Sequence, residues 1–143
     1  MRIIALDIGD VWTGVAISDA SGITVRPLTT YRSENLFEEL TVLIKQEKVS
    51  KCIIGYPKTM RGTESEQTKK IVQTGNAIKE RFSTVECIFL DERRTSIQAA
   101  QFFKKGCKTK NEKLKEHAIA AAILLQSYLD HLHFAIQEGQ TEN

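Results

Sequence analysis

Apolar positions open the chain as a continuous run, Ile3-Ile4-Ala5-Leu6, the pattern of a strand covered on both faces. Asp7 ends that run, Gly9 and Gly14 flank a turn, and Val15-Ala16-Ile17 reads as a second strand pairing back on the first. Residues 22–28 offer a third short strand closed by Pro27, and the short connections make these three an antiparallel meander. The pattern then turns helical. Ser33 is the expected N-cap, Leu36, Leu40 and Leu43 share a face, and Phe37 and Ile44 lie beside them. Residues 51–55 form a fourth strand, which a helical crossover makes parallel to its neighbour. Residues 65–82 carry a helical stripe of Ile71, Gly75, Ile78 and Phe82, and residues 85–90 form a fifth strand, again parallel. Two further helices are expected over 95–104 and 114–132. In the second, Leu114, Ala118, Ala121, Leu125, Leu129 and Leu132 recur at helical spacing, with small residues that permit close packing. From Gln137 the chain is polar and is expected to form a disordered tail over 137–143.

This order predicts an α/β fold: a mixed five-stranded sheet, three antiparallel strands then two parallel ones, flanked by helices. That is the ribonuclease H-like arrangement, here as one domain over residues 1–136. The chain's 143 residues suffice for a core without staples, and 41% hydrophobic with 27% charged residues is ordinary for a globular protein. No apolar run approaches the roughly 18 residues of a spanning helix, and the first residues enter a strand directly. The expectation is therefore a protein without signal peptide or membrane partner, placed in the cytoplasm. Cys52, Cys87 and Cys107 are odd in number and widely spaced, which points to a reducing compartment and to structural roles. A net charge of +2 says little until the lysines are located.

In such a sheet the first, fourth and fifth strands lie side by side, so whatever follows each converges on one edge. The first delivers Asp7 and the fifth Asp91-Glu92-Arg93. Between them the fourth delivers a loop, residues 55–63, carrying Lys58 and Arg61. Asp7 with Asp91 or Glu92 is an acidic pair suited to Mg²⁺ or Mn²⁺, and metals so held activate water and stabilise a leaving oxygen in phosphodiester cleavage. The bland counterparts are a turn aspartate at 7 and acids that complement a helix N-terminus at 91–92. Arg93 suits phosphate through its guanidinium fork. The 55–63 loop has no Gly-Lys-Ser/Thr and is not a P-loop. Residues 104–115 hold six lysines, among them Lys104, Lys105, Lys108 and Lys110. By default that is a solvated loop; beside a metal-binding edge it also attracts phosphates without regard to sequence. Trp12 near the first turn could stack on a base, although a lone tryptophan more often packs. His117, next to Glu116, opens the last helix, where a single histidine is ordinarily structural.

These residues resemble the YqgF/RuvX family of pre-16S rRNA nucleases related to Holliday junction resolvases. Its opening motif is matched by Leu6-Asp7-Ile8-Gly9 and Gly14-Val15-Ala16-Ile17-Ser18-Asp19, and its glycine-proline loop by Gly55-Tyr56-Pro57 through Gly62-Thr63. Asp91-Glu92-Arg93 with Thr95 matches the acid-arginine motif, and residues 118–129 resemble the closing helix. One departure stands out: the family usually carries an aspartate at the start of that helix, where this chain has His117. The resemblance implies a metal-dependent endonuclease that trims precursor rRNA of the small subunit, in possible association with the ribosome and as a monomer or homodimer. It makes Asp7, Glu92 and His117 metal ligands, with Asp91 as ligand or orienter and His117 alternatively a proton shuttle. Arg93, Lys58, Arg61 and the lysine run then hold the backbone. Cleavage of branched DNA is the related alternative, and a non-catalytic RNA-binding module with a decayed site is the alternative of another class. Asp-x-Gly turns also occur in actin-like ATPases, but those need two domains, and this chain has length for one.

Overall fold

The computed structural model describes residues 1–56, 66–91 and 110–141. In chain order the elements are β1 (Arg2–Ile8), β2 (Trp12–Ser18), β3 (Val25–Arg32), a 3₁₀ turn (Ser33–Asn35) and α1 (Leu36–Glu47). They continue with β4 (Val49–Tyr56), α2 (Glu66–Arg81), β5 (Glu86–Asp91) and α3 (Lys110–Thr141). The sheet order is β3-β2-β1-β4-β5. β1 runs antiparallel to β2 and β2 to β3, whereas β4 runs parallel to both β1 and β5. The expected mixed sheet forms, with the first, fourth and fifth strands adjacent.

Side-chain alternation along each strand sorts residues onto two faces. Ile4, Leu6 and Ile8 of β1, Val15 and Ile17 of β2, and Cys52 and Ile54 of β4 pack with Leu36, Leu40 and Leu43 of α1 and Ile71 and Ile78 of α2. Each such buried aliphatic side chain contributes on the order of 1.5–3 kcal/mol. The opposite face mixes small and large residues: Ala5, Ala16 and Ile53 meet Ala121, Ala122, Leu124, Leu125 and Leu129 of α3. This single helix lies across β1, β2 and β3 and reaches β4.

Several boundaries differ from the pattern in the sequence. The third strand is Val25–Arg32 rather than 22–28, because Asp19 holds a turn before it: its carboxylate accepts from Ser21 Oγ at 2.6 Å and from the N–H of Ile23 at 2.8 Å. Pro27 lies within β3 instead of closing it, which an edge strand tolerates because a missing N–H there breaks no ladder bond. Ser33 opens the 3₁₀ turn and caps no α-helix; its hydroxyl donates to the Gly9 carbonyl at 2.6 Å. Asp7 and Gly14 are paired within the ladder, so the turn spans only residues 9–11. α3 begins at Lys110 and continues through Thr141, taking in the expected polar tail as far as that residue. No proline interrupts it, and Glu, Gln and Lys are good helix formers. The helix expected over 95–104 lies outside the described residues.

Candidate active site

Asp7 stands one position past the Leu6–Ile54 pair, near the carboxyl end of the central strand. Its partner in β2 is Gly14, and Gly14 in turn pairs with Thr30 of β3, so the three form one row across the sheet. On the other side, Ile54 is followed by the buried Gly55, which pairs with Leu90 of β5. By alternation Asp7 shares its face with Ile3 and Ala5, the face that α3 covers.

The glycine beside Asp7 decides where α3 lies. A Cβ on Gly14 would overlap the carbonyl of His117, and the amide nitrogen of Ala118 lies 2.6 Å from the same point. Only a residue without a side chain lets the helix backbone down onto the sheet here. His117, half-buried, is thereby brought to the strand next to Asp7, while Lys115 and Glu116 before it are exposed. The following residues, Ala118, Ala121 and Ala122, are small enough to keep the helix close along its length.

The turn after Asp7 is braced from behind. Gly9 N–H donates to the Trp12 carbonyl at 3.0 Å, and Ser33 N–H donates to the Val11 carbonyl at 2.8 Å. Thr13 Oγ1, fully buried, donates to Ser33 Oγ at 2.8 Å, since that hydroxyl is itself committed to Gly9. These bonds fix the exit of β1, a condition for a carboxylate that must hold one position. Farther out, Trp12 pairs with Arg32, whose guanidinium sits 5.3 Å from the indole centroid. One face of the indole is thus taken by a cation.

The structure divides the residues singled out in the sequence. It brings Asp7 and the start of the closing helix with His117 to one face. Asp91 ends β5 opposite Tyr56 and alternates with Leu90, which puts it with Cys87 and Phe89 on the α1/α2 face. Glu92, Arg93, Lys58, Arg61, Lys104, Lys105 and Lys108 lie outside the described residues, and Lys110 is the first residue of α3. Among the described residues no three His, Cys, Asp or Glu side chains gather into a metal site. The donors that are described fit a divalent ion in kind, a carboxylate for Mg²⁺ and an imidazole that Mn²⁺ also accepts.

Cys52 and Cys87 pair directly across β4 and β5 on the far face as free thiols. Hydrogen bonding between them, with burial, holds the Cys52 thiol well above its ordinary value, and the same bond with Lys79 nearby lowers that of Cys87. Sequence reasoning placed Gly14 at a turn and so missed its role. An isolated glycine among β-forming residues was the available signal, because it often marks a close backbone approach. The Trp12–Arg32 pairing depends on register and left no local trace.

The architecture has solved counterparts. Thermus thermophilus RuvC in complex with a Holliday junction substrate superposes with a TM-score of 0.61 at 13% identity, over 92% of this chain and 96% of that one. A second structure of T. thermophilus RuvC gives 0.59 at 10% identity. The class of fold is therefore that of RuvC, a ribonuclease H-like sheet with its helices. Residues 1–131 match the family model RuvX, described as Holliday junction resolvase, and the chain belongs to that family. Among its relatives, a protein of Sulfurihydrogenibium is 40% identical over 136 residues, covering 94% of this chain and 93% of its own length. One of Caldanaerobacter subterraneus subsp. tengcongensis is 36% identical over 135 residues, covering 91% and 96%. Both carry the name "Putative pre-16S rRNA nuclease".

Proposed function

We propose that this protein is a divalent-metal-dependent endonuclease that hydrolyses phosphodiester bonds in precursor rRNA of the small subunit. The observation that carries the reading is the packing of the His117 backbone on Gly14, the strand partner of Asp7. Membership of RuvX and the names of its relatives supply the substrate class. Asp7 and Glu92 would hold Mg²⁺ or Mn²⁺, with His117 as the third group. Asp91, on the other side of the strand, would orient its neighbour rather than bind. When bound there, the metal supplies Lewis acidity that activates water and stabilises the charge of the leaving oxygen.

The chain's own groups do the rest. Asp7, fixed by the braced turn behind it, offers its carboxylate oxygens from one position. Where the metal is held by the carboxylates alone, His117 instead takes a proton from the attacking side or returns one to the leaving oxygen. Arg93, Lys58, Arg61, Lys104, Lys105, Lys108 and Lys110 hold phosphates of the strand. No helix among the described residues is long and apolar enough to cross a membrane; the name its relatives carry is what supports a cytoplasmic enzyme working near the ribosome. The RuvC-like fold favours branched DNA as the second substrate to test.

The test is cleavage of a small-subunit rRNA precursor fragment and of a four-way DNA junction, with Mg²⁺ and then Mn²⁺. Wild type, Asp7→Asn and His117→Asp are compared. RNA cutting that needs metal and vanishes in Asp7→Asn supports the proposal. Cutting of the junction alone moves the substrate to DNA, and RNA binding without cutting by any of the three overturns catalysis.

A further inference from the structure

A groove of about 530 Å³ runs between β3 and the first turns of α3, lined by Pro27, Thr29, Thr30, Lys115, Ala118 and Ile119. Its volume is in the range of sites that take small ligands. Nothing in the proposed chemistry uses it, yet its location is particular. Thr30 is the third member of the row that starts at Asp7, two strand spacings or about 10 Å away. The helix wall is the same stretch that presents His117.

We propose that this groove binds one unpaired nucleotide of the substrate strand, adjacent to the bond that is cut; the inference rests on the nuclease reading above. Pro27 and Ile119 offer apolar surface to the flat face of a base. Thr30, on the α3 face of β3 as the partner of Gly14, brings a hydroxyl to the groove wall, and Thr29 lines it beside that; a hydroxyl both donates and accepts, as the polar edge of a base or a ribose 2′-OH requires. Lys115, exposed at the mouth, offers a cation to the phosphate.

The edge of β3 argues against the other natural occupant, a strand added from a second copy of this chain. Pro27 has no N–H to give such a strand. The register also slips there, with Val15 paired to Thr29 and Ala16 to Pro27, leaving Leu28 as an extra residue that bends the edge. Those features blunt strand addition and leave room beside the helix.

The experiment uses the full chain in EDTA, so that binding is read without cutting, and a short single-stranded oligouridine carrying one 4-thiouridine. Irradiation is expected to attach the probe to peptides containing residues 27–30 or 115–119. In Lys115→Ala the salt dependence of binding should flatten, its log–log slope falling by about 0.7, the share of one phosphate contact on a single strand. Lys45→Ala, on the exposed side of α1 across the sheet, should leave the slope unchanged. Adducts confined to other peptides, or an unchanged slope in Lys115→Ala, would overturn the inference. So would loss of a dimer in Lys115→Ala with RNA binding intact, which assigns the groove to a second copy. Wild type that fails to cleave precursor RNA, but shows the groove adducts and the altered slope, would remove the nuclease reading and keep the nucleotide site.

Discussion

The two faces of this sheet are packed on different principles. On one, Ile4, Leu6, Ile17, Ile54, Leu36 and Leu40 interlock as large side chains, and two helices stand off the sheet to make room for them. On the other, Ala5, Ala16 and Gly14 face Ala118, Ala121 and Ala122, and one helix lies nearly on the strands. The first face derives its stability from volume removed from water. Around Gly14 the second gives up volume for proximity, because the backbone of α3 at His117 comes down onto the strand partner of Asp7. Both faces bury large side chains, but the placement of the candidate chemistry rests on the small ones of the α3 face.

That contrast can be broken in a graded way. The largest effect is expected from Asp7→Asn, which removes charge from the α3 face at constant shape. Cleavage should fall at least about a hundredfold, as loss of several kcal/mol of metal-derived stabilisation requires, with little change in the melting temperature. Single-turnover rates alongside thermal melts check this. Next comes Leu40→Ala on the opposite face, where a fully buried side chain leaves a cavity. It should cost about 2–5 kcal/mol in urea unfolding while the folded protein keeps its cleavage rate.

Gly14→Ala tests the proximity itself. The added methyl collides with the His117 carbonyl, so the helix must lift, at a cost of about 1–3 kcal/mol. Because the lift moves His117 off Gly14, the strand partner of Asp7, cleavage should drop further than the unfolded fraction explains. Overpacking on the far face, Gly75→Ala, meets only side-chain atoms, the Phe89 ring first, and should cost less stability without that extra loss.

The smallest effect belongs to neither face. Asp19, in the exposed turn between β2 and β3, has its carboxyl lowered from 3.8 to about 2, first by Ser21 Oγ and then by the N–H groups of Ile23 and Thr24. A depressed carboxylate contributes stability that is present above the unfolded value and lost as pH falls through the folded one. Between about pH 4 and pH 2 the wild-type urea midpoint should therefore decline more steeply than that of Asp19→Asn. Parallel declines would show that the turn bonds do not persist in solution.

Most of the frame was legible from residue order. Continuous apolar runs marked β1 and β4 because both are covered on two sides; the leucine spacing of α1 marked a helix that buries one stripe, and the alanine spacing of α3 one that is buried nearly all round between Ala121 and Leu125. The edge strand was misplaced, since β3 is only half-covered and Pro27 reads as a stop unless its edge position is known. Ser33 looked like an N-cap because nothing local announces that its hydroxyl is bound to Gly9, 24 residues earlier. Asp7 was evident at the end of its run, but the face of β5 on which Asp91 falls was not. Which of two adjacent acids shares a face with a third depends on register between strands far apart in sequence.

Trp12 is the chain's single tryptophan, and it stands on β2 two residues before Gly14, under the Arg32 guanidinium. The protein therefore carries a built-in optical probe beside the row that begins at Asp7. A polyanion that draws Arg32 away would change the indole emission, so strand arrival could be followed in real time with no label attached.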